Sequence, residues 1–141
     1  MKSLNIIFLL ANYSAVVGWI LLIGFPRASF TDFTVQSVIA VLLAVIYGYL
    51  LLVQKDPAGE KFVKGSFTTL KGVIRLFKNS RVVLVGWVHF LAFDLLTGLY
   101  IKNDALLHGV DHWMVIPCLL LTLMFGPLGF LAYFLLKLVM V

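Results

Sequence analysis

Two ionisable side chains, His89 and Asp94, stand inside an otherwise apolar run from Val82 to Ile101. An acid or base embedded in such a run costs several kcal/mol, so each is a functional candidate by default. Asp94 falls seven residues before the end of that run, roughly 10 Å deep at about 1.5 Å per residue. Its short side chain cannot snorkel to water, so it needs a partner, a water-filled cavity or a proton. Five residues separate it from His89, about 140° around a helix, so the two face different neighbours. Matching depth from the ends of the other apolar runs adds Asn12, Tyr13 and Tyr47 near His89. Asp104, Asp111 and His112 then extend a polar line toward one face. Structural interhelical bonding and acid/base work both stay open for these groups; for acid/base work the expected set is Asp94 assisted by His89 and His112. Asn12, Tyr13, Tyr47, Trp87, Trp113 and Pro117 are the expected substrate-binding residues. Imidazole and carboxylate also suit iron or zinc. The spacing matches no compact metal motif, however, so no metal ligands are assigned and no cofactor is named.

The elements that must position these groups follow from hydrophobicity. The 141 residues are 62% hydrophobic and only 12% charged, with a mean hydropathy of +1.08. Too little polar surface is present to cover a soluble domain, and lipid is the natural solvent for the excess. About 20 apolar residues cross a hydrocarbon core, and four stretches qualify, at 4–24, 34–53, 81–101 and 113–136. The expected fold is therefore all-α, a four-helix transmembrane bundle forming a single membrane domain over 1–141. The first run lacks a convincing cleavage pattern and is read as a retained helix. The single cysteine, Cys118, excludes an intramolecular disulfide framework.

Sidedness comes from the cations. Placing Lys2, the 54–81 segment and Lys137 on one face collects nine Lys and Arg, leaving only Arg27 and Lys102 opposite. The positive-inside rule then puts both termini in the cytoplasm. The net charge of +5 is thus a topology signal and implies no nucleic-acid partner. Within the long connection, Phe62, Val63, Phe67, Leu70, Val73, Ile74 and Phe77 recur near helical spacing with lysines between them. This pattern predicts a cytoplasmic amphipathic segment lying at the membrane interface. Pro117 and the Phe125-Gly126-Pro127 turn should kink the fourth helix. Gly126 and Gly129 should permit close helix approach.

The run from Trp87 to Leu95, with its His89 and Asp94, is followed by Asp111-His112-Trp113 and by Val115-Ile116-Pro117-Cys118-Leu119. Phe125-Gly126-Pro127-Leu128-Gly129 completes a pattern that resembles the abscisic acid-deficient protein 4-like family. The likeness is strongest over about 70–137, with Asn12, Trp19-Ile20-Leu21-Leu22 and Pro26 fitting earlier. In plants that family is associated with forming neoxanthin from violaxanthin in plastid membranes. The resemblance implies a carotenoid or related isoprenoid ligand and a redox-neutral epoxide opening, within reach of one acid and one base. The absence of a transit segment points to a bacterial cell membrane; most bacteria lack neoxanthin, so the substrate stays open. Three function classes stay open at this point. They are an isomerase-like membrane enzyme, a non-catalytic assembly or binding module (as a homo-oligomer or beside a partner enzyme), and a small proton-linked transporter.

Overall fold

The computed structural model describes residues 2–53, 55 and 65–140. These form helices α1 (Lys2–Gly24), α2 (Ser29–Leu52), α3 (Leu70–Leu76), α4 (Ser80–Leu107), α5 (His112–Phe125) and α6 (Pro127–Met140). No strand occurs among the described residues. Three of the helices, α1, α2 and α4, are long and apolar enough to cross a membrane. The sequence-based boundaries fall within two residues for α1, whereas α2 starts five residues earlier than expected, at Ser29, and α4 runs six residues further, to Leu107.

Local chemistry sets several helix ends. The Asn79 carboxamide oxygen accepts from the backbone N–H groups of Arg81 (2.9 Å) and Val82 (3.2 Å), capping α4. Thr69 Oγ1 accepts from Gly72 N–H at 3.1 Å and caps α3 in the same way. Residues Thr34–Ala40 of α2 wind as a π-helix. The wider turn keeps Val35, Ile39 and Ala40 all facing the core.

The core is the seam where α1 and α2 meet α4. Ala11, Ala15, Gly18, Trp19 and Leu22 of α1 lie along one stripe, matched by Val88, Leu91, Leu95 and Gly98 of α4. Small residues allow the close approach: a Cβ on Gly98 would fall 2.6 Å from the Trp19 ring, and one on Gly18 would fall 2.8 Å from Leu95. Between apolar helices in lipid such packing replaces the hydrophobic drive that water would supply. From α2, Val35, Ile39, Leu43, Ile46 and Leu50 close the other side.

The expected fourth span, 113–136, is not one helix. It breaks at Gly126, whose φ of +22° and ψ of −84° end α5. On a straight helix Thr122 and Gly129, seven residues apart, would stand about 10.5 Å from each other. Here a Cβ on Gly129 would lie 2.5 Å from the Thr122 Cα. Helix α6 therefore folds back along α5. Each arm has 14 residues, about 21 Å of helix, short of the roughly 30 Å hydrocarbon core.

The return arm is pinned. Asp104 accepts from Tyr133 Oη at 2.5 Å and from Lys137 Nζ at 2.7 Å. Because Asp104 lies near the C-terminal end of α4, Lys137 stands at the same end of the molecule as Pro26 and Lys102. The N-terminal residues of α1 stand at the other end, where Leu4 and Asn5 meet Ser80 and Leu84. The expectation that both termini share one face is thus corrected: the fold-back at Gly126 reverses the chain once more than a fourth span would. Of the expected interfacial segment, Phe62 and Val63 lie outside the described residues. The remainder includes α3, with Phe67, Leu70, Ile74 and Phe77 exposed.

Candidate functional site

Asp94 sits midway along α4, fourteen residues from Ser80 and thirteen from Leu107, so roughly 20 Å from either end. Its residue is only 8% exposed. The α5–α6 turn meets it there. A Cβ on Gly126 would fall 2.9 Å from Asp94 Cγ and closer still to Oδ1, so the bare glycine backbone is what lets the hairpin tip rest on the carboxyl. Oδ2 is buried and has no hydrogen-bond partner. Native proteins rarely leave a buried polar atom unpaired, so this oxygen is a candidate for contact with a ligand.

Beside the carboxyl a groove of about 600 Å³ runs between α4 and α6, lined by Phe93, Leu96, Thr97, Tyr100, Gly126, Pro127 and Phe130. Such a volume and such a lining, apolar with one or two polar groups, are those of ligand pockets. Thr97 Oγ1 donates to the Phe93 carbonyl at 2.8 Å and keeps its lone pairs. The rings of Tyr100 and Phe130 lie 6.0 Å apart across the groove.

The structure does not bring the three expected acid/base residues together. His89 points to another side of α4, stacked on Phe93 (ring centroids 4.6 Å apart) and tilted against Tyr47 (5.8 Å). His112 is committed to architecture: its Nε2 lies 2.9 Å from the Ile23 carbonyl, so that nitrogen carries the proton and ties α5 to α1. The separation of His89 from Asp94 is what the 140° offset requires. Among the expected binding residues, Asn12 and Trp87 do meet, with Trp87 Nε1 donating to Asn12 Oδ1 at 3.2 Å. The Asn12 amide also donates to the Phe8 carbonyl at 2.6 Å. Tyr13 (69% exposed) and Trp113 (83%) face outward. Pro117 lies within α5, and Tyr47 lines the cleft of His89. None of these six lines the Asp94 groove.

Hydropathy reading missed Thr97 and Tyr100, three and six residues beyond Asp94, and Phe130, across the hairpin. Helical phase from Asp94 would have found the first of them. It also missed the pairing of Lys102 with Asp32 at the polar end of the bundle. Lys102 is 2% exposed and donates to the Pro26 carbonyl at 3.2 Å and to the Asp32 carboxylate. His108 Nδ1 stands 2.8 Å from the Asp104 carbonyl. Among the described residues, no three of His, Cys, Asp and Glu converge as metal ligands.

Described residues that form helices and no strand, three of those helices being apolar and long enough to span, mark a small membrane protein. The family described as ABA DEFICIENT 4-like matches residues 6–133, and the chain belongs to it. No curated protein and no solved structure matches the chain.

Proposed function

We propose that this protein binds an oxygenated isoprenoid, of carotenoid type, in the groove beside Asp94 and isomerises it by acid/base chemistry. The observation that carries this is the buried, unpartnered Asp94 Oδ2 at the wall of an otherwise apolar groove. Family membership supports the class of ligand. A protonated Asp94 would donate to an epoxide oxygen as the ring C–O bond breaks. The resulting carboxylate would take a proton from the adjoining chain carbon as the new double bond forms. Atoms balance, no electrons are exchanged, and the acid is regenerated. Thr97 and Tyr100 would orient hydroxyl groups of the end ring. His89 and His112 take no part, because neither reaches the groove.

In this reading the chain is one multi-pass membrane domain of a bacterial cell membrane. It has three spans, α1, α2 and α4, and a re-entrant hairpin, α5–α6. Lys2 and the 54–81 segment together carry eight Lys and Arg, against Arg27, Lys102 and Lys137 at the other end. Lys102 and Lys137 are paired with Asp32 and Asp104. The positive-inside rule then keeps the N-terminus cytoplasmic and places the C-terminus on the outer side.

The test is conversion of violaxanthin by the protein reconstituted in liposomes, followed by chromatography and mass spectrometry. Asp94→Asn should retain the bound carotenoid and lose the product. If Asp94→Asn still converts it, the acid/base role is wrong. Should the wild type neither bind nor convert carotenoid but bring down a defined partner, the assembly-module reading takes over.

A further inference from the structure

A second cleft, of about 420 Å³, opens at the opposite end of the molecule between α2, α3 and α4. Leu51, Leu76, Phe77, Val82 and Val85 make its walls apolar. Arg81 lies at its mouth, and His89 lies eight residues deeper along α4, about 12 Å by helical rise. Gly86 holds this shape, because a Cβ there would fall 2.9 Å from the Phe77 ring that forms one wall.

The surroundings of the mouth are basic. Lys71, Arg75 and Lys78 are exposed on and after α3, and among the described residues none of the three is paired with an acidic side chain. Exposed Phe67, Leu70, Ile74 and Phe77 alternate with them, the pattern of a segment lying at a lipid headgroup layer. An apolar slot beside a cationic segment is complementary to one kind of molecule, an anionic amphiphile. A soluble anion has no use for the slot, and a neutral lipid has none for the cations.

We propose that this cleft is a binding site for an anionic phospholipid, with one acyl chain between α2 and α4 and its phosphate among Lys78 and the α3 cations Lys71 and Arg75. The site is separate from the Asp94 groove and does not depend on the carotenoid reading. The bound lipid would seat α3 against α4 and close the cleft toward the bilayer.

Native mass spectrometry of the delipidated full chain in mild detergent tests this, with phosphatidylglycerol, phosphatidylcholine of the same chains, or glycerophosphate titrated in turn. Phosphatidylglycerol should bind at one per chain and resist release, while the other two do not. Lys78→Gln combined with Arg75→Gln should weaken it roughly twenty-five-fold, two charges at about five-fold each. Leu51→Trp, a substitution at the half-exposed rim of the cleft, should abolish the tight lipid with all cations intact. Retention of phosphatidylglycerol by Leu51→Trp at wild-type strength would show adsorption to surface charge alone and overturn the proposal. Equal binding of phosphatidylcholine, or tight binding of glycerophosphate, would overturn it as well.

Discussion

Gly126→Ala is the perturbation that bears most directly on the architecture. Two costs are separable at this position. The residue has a positive φ of +22°, which an L side chain tolerates at about 1–2 kcal/mol. The added methyl would also fall 2.9 Å from Asp94 Cγ and nearer to Oδ1, an overpacking of about 1–3 kcal/mol. Together they predict a loss of roughly 2–5 kcal/mol, read by denaturant titration of the protein in detergent micelles. Gly109→Ala supplies the control, because its φ is +70° but nothing lies within 4 Å of the added Cβ. It should lose only the conformational part, about 1–2 kcal/mol. In the double variant Asp94→Ala/Gly126→Ala the steric part should vanish, giving a favourable coupling of about 1–3 kcal/mol. Equal losses for the two glycines, or strict additivity in the double variant, would refute the claim that the hairpin tip rests on the Asp94 carboxyl.

Further expectations concern the polar end of the bundle and the sidedness of the chain. Asp32→Ala leaves the buried Lys102 ammonium with only the Pro26 carbonyl and should cost about 3–5 kcal/mol. Lys102→Met leaves a half-exposed carboxylate that water can reach and should cost about 1–2 kcal/mol. The same denaturant titration decides, and the reverse order would contradict the burial argument. In a Cys118→Ser background, a cysteine at Val139 should react with an impermeant maleimide added to intact cells. One at Lys2 should react only after permeabilisation. Protection of the Val139 position until lysis would restore a fourth full span and remove the re-entrant hairpin.

Much of the fold was legible because lipid imposes a simple length rule. The run beginning at Leu4 gave α1 to within two residues, and the one beginning at Val82 gave the start of α4 but stopped six residues short of its end at Leu107, since a helix in an apolar solvent has no cheaper way to satisfy its backbone. The same rule failed at 113–136 for a physical reason. Hydropathy sums apolar residues without regard to direction, and 24 of them folded in half at Gly126 score as well as 24 in line. The signal was in the turn itself: glycine, then proline, then Gly129 three residues on, opposite Thr122. That spacing allowed close approach, as expected, but between two arms of one hairpin and not between separate spans. The error carried forward, because Lys137 was counted with the wrong face. The site divided in the same way. Asp94 stands out from its own sequence neighbourhood, whereas Phe130 enters the groove only through the fold-back.

The hairpin also explains why a carboxyl at mid-depth is tolerable and what it is poised to do. A fourth full-length helix would present only side chains to Asp94. The turn at Gly126 instead brings bare backbone to it and leaves an open groove on the far side, between Tyr100 and Phe130. One face of the carboxyl is thereby held by protein, while Oδ2 stays without a partner. Interhelical hydrogen bonding is the usual fate of a polar group between transmembrane helices, and it would have consumed that oxygen. The Asp104 carboxylate takes that course, accepting from Tyr133 and Lys137. The two acids of α4 are ten residues apart, and the same hairpin treats them oppositely: it neutralises Asp104 with its return arm and leaves Asp94 unsatisfied at its tip. That contrast favours a binding or catalytic role for Asp94 over a structural one.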